Sequence, residues 1–222
     1  MPSTLVHVAL AGLLAAALLP DDYFDRRAVL LILAVAVVPD LDVFFGSVIR
    51  GAHRSLGHNL LLPGLAAALL AVDLRVRPRS TVRRVLGAGG GWTAAVAIVG
   101  FVVAGVGLDY VVNGANLLWP VHDQFYTANG RAILSNQRGF VQTFVDLSPE
   151  PPSDGGSSGG GGGSQPKTTD NTHYSTGVDP TAGSEPKDVE RVFPLVRSGW
   201  QLLVVVAGAT VVSAKLWLTG GE

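Results

Sequence analysis

The sequence contains no cysteine and few charged or aromatic residues. Only 15% of its 222 residues are charged and 7% are aromatic. Without cysteine, the chain can form neither a disulfide framework nor a thiolate metal site. Soluble domains carry about 25% charged residues, whereas here 48% of the residues are apolar. This balance predicts an integral membrane protein whose main partner is the lipid bilayer.

An extended basic surface is also missing. The formal net charge is −1, and arginine is concentrated in one short loop only. Proteins that bind nucleic acid usually present a strongly basic face, so we expect no nucleic-acid partner. Alanine and glycine are abundant instead, which suits helices that pack closely in lipid.

Five apolar segments predict an all-α membrane bundle of about five spans. The segments are Thr4–Leu19, Ala28–Phe45, Leu60–Val72, Trp92–Val112 and Trp200–Leu218. The first is short for a span, and the alanines before Pro20 would also suit the cleavage site of a signal peptide. However, no Lys or Arg precedes it, and signal peptides normally begin with a basic region. We therefore predict a retained span.

The composition divides the chain into four parts. We assign residues 1–112 to a four-span membrane core, 113–150 to an extramembrane segment, 151–198 to a flexible Gly/Ser/Pro-rich linker with a polar segment, and 199–222 to a last span. Asn129-Gly130, between FYT and AIL, is typical of a β-hairpin turn. The sequence GFVQTFVDL predicts a further strand.

An arginine-rich loop indicates the topology. Residues 74–85 contain five arginines, and short loops rich in Lys or Arg remain in the cytoplasm. Alternation then places the N-terminus, the connection between spans two and three, and residues 113–198 outside the cytoplasm. We predict a multi-pass protein of the plasma (inner) membrane.

The connection between spans two and three has the sequence PDLDVFFGSVIRGAHRSLGHN, and it is rich in ionisable side chains. Span one adds a histidine and span four an aspartate at the same predicted level. The complete set is His7, Asp40, Asp42, His53, Arg54, His58 and Asp109. Charged groups beside or within a membrane segment are costly unless they are paired, metal-bound or hydrated. These seven residues are therefore the candidate functional site.

The residue types favour a hydrolytic metal site. Imidazoles and carboxylates without thiolates suit Zn, Mn or Fe, and a metal with an open position can activate water. Arg54 could orient a phosphoryl or carboxylate group through two hydrogen bonds. On a helix, His53 and His58 would point in different directions. If both bind one ion, the chain near Gly57 cannot be helical.

Structural explanations remain open for several of these residues. Asp40 and Asp42 could cap a helix, and His7 could be an interfacial histidine. Asp109 could form a structural ion pair with Arg54, because buried charges need partners. His122-Asp123 suggests a loop feature that could support a metal-bound histidine.

The order of motifs resembles a known family. His7, PDLD, HRSLGH and a span-end Asp109 followed by LLWP are similar to the LexA-binding, inner membrane-associated, metal-dependent hydrolases, also called YdjM-like proteins. The resemblance covers about residues 1–147. GRAILSNQRGFVQTFVDL resembles the haloarchaeal branch, and the Gly-rich tract and last span resemble a lineage-specific extension.

The resemblance implies a set of site residues. The family's metal positions correspond to His7, Asp40, Asp42, His53, His58 and Asp109, and the catalytic set would be Asp40, Asp42, His53, Arg54, His58 and Asp109. Three positions depart from the family pattern. Val43 and Gly105 stand where the family has histidines, and Gly57 replaces the usual threonine.

The leading hypothesis is a membrane-bound hydrolase that uses a divalent metal ion (Zn, Mn or Fe). Its substrate would be an ester or phosphoester, either a small molecule or lipid-linked, at the outer membrane face. The alternative is a non-catalytic scaffold with an eroded metal site, suggested by Val43 and Gly105. A transporter is less favoured, because its ionisable groups would lie in mid-membrane rather than at one end of the spans.

Overall fold

A computed structural model describes residues 2–46, 49, 51–128, 130, 132–135, 137, 139–142, 167–181 and 188–220. The described chain is mostly helical, which confirms the predicted class. Its α-helices are α1 (Thr4–Leu18), α2 (Arg26–Val37), α3 (Leu61–Arg75), α4 (Thr81–Leu86), α5 (Gly90–Gly100), α6 (Leu108–Val112) and α7 (Gly199–Thr219). A short 3₁₀ turn, Asp21–Tyr23, separates α1 from α2.

Two of the long helices change geometry before they end. Helix α2 continues as a 3₁₀ helix over Val38–Phe45, so Pro39 interrupts the α-helix as the sequence predicted. Helices α5 and α6 are joined by the π-helical segment Phe101–Gly107. Both irregular segments carry or contact residues of the candidate site.

Three helices in the described residues are long and apolar enough to cross a membrane. They are Arg26–Phe45, Gly90–Val112 and Gly199–Thr219. Helices α1 and α3 have only 15 residues each, or about 22 Å, which is less than the hydrocarbon thickness of about 30 Å. The prediction of about five spans is therefore not confirmed. Helix α3 is short because the chain before it forms the loop of the candidate site.

The exposed surfaces of α3 and α7 are strongly apolar. Leu65 and Leu69 on α3 and Leu203 on α7 are each at least 60% exposed. Contiguous apolar surface on this scale is unusual in a soluble monomer. It is expected where helices face lipid.

The bundle core is built from small and β-branched side chains. Ala11 and Ala15 of α1 pack against Ile32 of α2, Val96 of α5 and Ala104 of the π-helical segment. These side chains are almost completely buried. Small residues let the helix backbones approach closely, as is usual in membranes.

Helix α7 runs parallel to α1 and is attached to it at both ends. The Ser3 hydroxyl donates a hydrogen bond to the carbonyl of Leu195, just before α7. At the other end, Lys215 Nζ donates to the carbonyls of Ala16 (2.8 Å) and Leu19 (3.3 Å). These carbonyls lie in the last turn of α1, where helices need external donors.

A small antiparallel hairpin is present, but its turn differs from the predicted one. Strands β1 (Ala132–Ser135) and β2 (Gly139–Gln142) pair with Ser135 opposite Gly139, so the connection between the strands follows Ser135 and is not Asn129-Gly130. Tyr126, in the expected first strand, is instead bridged to Ala115. Asn129 and residues 143–166, which include the rest of GFVQTFVDL and the Gly/Ser/Pro tract, lie outside the described residues.

Candidate metal centre

The loop that contains His53 and His58 folds back onto the 3₁₀ helix. Residues 51–60 are not helical, as required for both histidines to face one place. Arg54 adopts a left-handed backbone conformation with φ 70°, which is uncommon for a side chain other than glycine. A Cβ on Gly57 would lie 2.3 Å from the carbonyl oxygen of Pro39. Glycine therefore permits this close backbone approach.

The Asp42 carboxylate lies at the centre of this loop. Its Oδ1 is 2.8 Å from His53 Nδ1, and its Oδ2 is 2.9 Å from His58 Nδ1. The same Oδ2 accepts hydrogen bonds from the backbone N–H of Arg54 (3.0 Å) and Gly57 (3.2 Å). Because an ionised carboxylate only accepts hydrogen bonds, both Nδ1 atoms carry the proton. This leaves the Nε2 atom of each ring as a potential ligand.

His7 is held in the same way by a backbone carbonyl. Its Nδ1 contacts the carbonyl oxygen of Ala104 in the π-helical segment, so this nitrogen also carries the proton. Among the residues described, the Nε2 atoms of His7 and His53 are buried and have no hydrogen-bond partner, whereas the buried Nε2 atom of His58 forms an ion pair with Asp109. Buried ring nitrogens without partners are rare. The Nε2 atoms of His7 and His53 are therefore available as ligands or as proton acceptors.

Two carboxylate oxygens face the ring nitrogens of His7 and His58. His58 Nε2 lies 2.9 Å from Asp109 Oδ2 and 3.7 Å from Asp40 Oδ1. His7 Nε2 lies 3.9 Å from Asp40 Oδ1 and 4.0 Å from Asp109 Oδ2. Ligand atoms about 2.0–2.2 Å from one ion are themselves about 3–4 Å apart. The four atoms therefore have the spacing of ligands to a shared cation.

Two groups of residues could hold an ion by distance alone. The first is Asp42, His53 and His58, and the second is His7, Asp40 and Asp109; within each group the ligand atoms lie within 4.8 Å of one another. In the first group, the Asp42 oxygens already accept four hydrogen bonds. The geometry therefore favours the second group, completed by His58.

The other oxygens of Asp40 and Asp109 are anchored. Thr4 Oγ1 donates a hydrogen bond to Asp40 Oδ2, and the Arg54 guanidinium donates to Asp109 Oδ1 at 2.8 Å. Arg54 is fully buried and also donates to the carbonyl of Gly114 (3.2 Å). The structural ion pair considered from the sequence is thus present.

His58 is charged when no cation is bound. Burial lowers the pKa of its ring, but the carboxylates of Asp109 and Asp42 outweigh that effect and raise the pKa to about 10. At neutral pH a proton therefore competes with a cation for Nε2.

The departures from the family pattern leave this ligand set intact. A Cβ on Gly105 would lie 2.7 Å from Cγ of Pro39, so a histidine there would not fit against this proline. Val43 lines a neighbouring cavity and is not needed by the four candidate ligands. The set of four candidate ligands is therefore complete without histidines at 43 and 105.

A cavity of about 310 Å³ adjoins the cluster. Its polar lining consists of Asp40, His53 and Asp109 of the cluster together with Ser3, Thr4, Ser175, Thr176 and Arg197. Its apolar wall consists of Leu5, Val43, Val178, Val192, Phe193 and Leu195. The sequence reasoning missed the wall residues after 167, although the apolar run VFPLV in a polar segment was a usable signal.

The His122-Asp123 pair lies in connecting loops. His122 Nε2 is 2.8 Å from the Tyr126 hydroxyl. Asp123 accepts hydrogen bonds from Asn116 Nδ2 (2.7 Å) and from Thr169. Within the described structure, Asp123 thus joins two loops rather than supporting a site histidine.

Together, the fold and the cluster define a helical membrane protein with buried His/Asp groups able to bind a metal ion. The chain matches the model of the YdjM inner membrane protein family over residues 1–155, and it belongs to this family. The match confirms the resemblance and, with the three membrane-length helices, a membrane location. No curated protein and no solved structure matches the chain. The haloarchaeal origin stays a prediction.

Proposed function

We propose that the protein is a membrane-bound, metal-dependent hydrolase of esters or phosphoesters. The observation that carries this proposal is the convergence of the buried Nε2 atoms of His7 and His58 on one oxygen each of two anchored carboxylates, Asp40 and Asp109. In this assignment the ligands are His7, Asp40, His58 and Asp109. Asp42 orients His53 and His58, and Arg54 holds Asp109.

His53 is the candidate general acid–base. Its Nδ1–H is bound to Asp42, and its ring lines the cavity. A neutral imidazole oriented by a carboxylate can accept a proton from water and return it to a leaving group. A divalent cation in the neighbouring site would supply Lewis-acid activation of water and of the ester at neutral pH.

The cavity favours a substrate with an apolar part. The cluster residues Asp40, His53 and Asp109 line it, the rest of its surface is mainly apolar, and it lies at the ends of the membrane-length helices. A lipid-linked ester would place its polar group at the cluster and its hydrocarbon in the cavity. We further propose that this end of the bundle faces outward, since the arginine-rich loop lies at the other end.

Metal content and hydrolysis test this proposal. Wild-type protein purified at neutral pH should contain stoichiometric Zn, Mn or Fe by elemental analysis, and chelation should remove both metal and hydrolysis of an aryl ester or phosphoester. His58→Ala should lose both properties, whereas His122→Ala, which changes an exposed histidine, should keep them.

The result also distinguishes the scaffold alternative. Wild-type protein without Zn, Mn or Fe would contradict the proposal. Metal present without hydrolysis of any ester would reject the enzyme and favour a non-catalytic metal protein.

A further inference from the structure

The chain after the family-matched region contributes to the candidate site. Residues 167–181 and 188–198 are named here the cover segment. Lys167 accepts a backbone hydrogen bond from Phe125 at 2.8 Å. Thr169 Oγ1 donates to Asp123 at 2.6 Å. These contacts fix the beginning of the cover segment beside the site.

Tyr174 attaches the cover segment to the site itself. Its ring lies 4.6 Å from Cζ of Arg54, a distance suited to a cation–π contact. The ring also meets His53 edge-on, with centroids 6.4 Å apart. Its hydroxyl donates to the carbonyl of Asn113 at 3.2 Å. The cover segment therefore contacts Arg54, which holds Asp109, and His53, the proposed acid–base.

The second half of the cover segment contributes three residues to the apolar wall of the cavity. Val192, Phe193 and Leu195 line the cavity, yet they are 50%, 66% and 70% exposed. The Phe193 ring lies against Gly177, where a Cβ would be only 2.5 Å from it. The wall is joined to the start of α1 by the hydrogen bond from Ser3 to Leu195.

We infer that this wall determines which substrates are accepted, by contacting the hydrocarbon part of the molecule whose polar group lies at the cluster. The inference depends on the proposed function only in placing the polar group of the substrate at the metal cluster. Apolar contact area increases binding with each methylene that it covers. Because Val192, Phe193 and Leu195 lie outside residues 1–155, their part of the specificity would belong to this chain's own extension rather than to the matched family region.

Alkyl phosphates of different length test the wall. Ethyl and hexyl phosphate would be titrated by calorimetry into the full-length protein in amphipol, with zinc and with EDTA. We expect wild-type protein to bind hexyl phosphate at least about tenfold more tightly than ethyl phosphate. The double variant Phe193→Ser/Leu195→Ser should lose most of this ratio. The matched control Leu134→Ser/Phe140→Ser changes two exposed side chains of the hairpin and should keep it.

A cavity-filling variant covers the case in which the double variant does not fold. Val178→Phe adds volume inside the cavity and should also reduce the hexyl-to-ethyl ratio. An unchanged ratio in a folded wall or cavity variant would overturn the inference. If the hexyl-to-ethyl ratio persists in EDTA and the protein hydrolyses no ester, the wall inference is supported and the proposed function is rejected.

Discussion

Asp42 differs from the other acidic residues of the cluster in how its oxygens are used. Asp40 and Asp109 each have one oxygen anchored and one facing the ring nitrogens, whereas Asp42 accepts from four donors. Two of these donors are the histidine Nδ1 atoms. Asp42 therefore controls the direction of His53 and His58 without needing to touch a cation.

The first prediction concerns Asp42→Asn. The amide has one acceptor oxygen instead of two, so at least one histidine loses its partner and its fixed tautomer. Loss of such a supporting carboxylate typically lowers metal affinity about 10–100-fold. Zinc affinity would be measured by competition with a chromophoric chelator.

A matched control is Asp22→Asn, which alters an exposed carboxylate in the turn between α1 and α2. Its zinc affinity should stay at the wild-type value. Equal affinities for wild type and Asp42→Asn would show that the four hydrogen bonds do not support a metal site.

At the scale of elements, Pro39 is the point at which the site's segments meet. The loop approaches it through Gly57, and the π-helical segment approaches it through Gly105. Pro39 also lies in the 3₁₀ helix that carries both Asp40 and Asp42. Two glycines thus let three segments pack closely enough for their ligands to converge.

The second prediction is that Gly57→Ala disrupts the site. Its new methyl group would lie 2.3 Å from a backbone oxygen that cannot move independently, so the loop must shift together with His58. We expect a destabilisation of about 1–3 kcal/mol and loss of stoichiometric metal. Thermal unfolding in detergent and elemental analysis would measure the two effects.

Gly64→Ala provides the comparison, because nothing lies within 4 Å of the added methyl group on α3. This change should leave metal content unaltered and stabilise the helix by at most about 1 kcal/mol. A Gly57→Ala protein that behaves like Gly64→Ala would mean that the close approach to Pro39 is not required.

The sequence predicted the helical class and the convergence of the ionisable residues, because both follow from apolar segments and from their alternating direction. The predicted segments Thr4–Leu19 and Leu60–Val72 are already short for spans, and α1 and α3 have only 15 residues each. The sequence did not predict the role of each residue within the cluster. Which Asp42 oxygen meets which Nδ1 depends on the left-handed turn at Arg54 and on backbone contacts far apart in sequence.

For the whole molecule, the site and the arginine-rich loop lie at opposite ends of the bundle. A Cβ on Gly89, which follows that loop, would touch the ring of Tyr23 in the turn between α1 and α2. His7 and Asp40 lie at the other ends of these two helices. The distribution of charge therefore suggests that the cluster faces away from the cytoplasm.

The third prediction tests this orientation. Because the chain has no cysteine, a single introduced cysteine is its only thiol. Val85→Cys and Val121→Cys replace matched, exposed valines near the arginine-rich loop and at the site end. In intact cells, a membrane-impermeant maleimide should label Val121→Cys only, and cell lysis should allow labelling of both.

The opposite labelling pattern would place the cluster on the cytoplasmic face and reject the outer-face proposal. Labelling of both variants in intact cells would contradict a membrane separating the two loops.

The order of the chain has a consequence for how a cation would reach the cluster. All four candidate ligands lie within the first 109 residues, whereas Tyr174 and the wall at 192–195 come later. During synthesis from the N-terminus, the ligand set is therefore complete before the cover segment exists. A metal ion bound as proposed would therefore find its ligands assembled before the residues that line the cavity from the cover segment are synthesised.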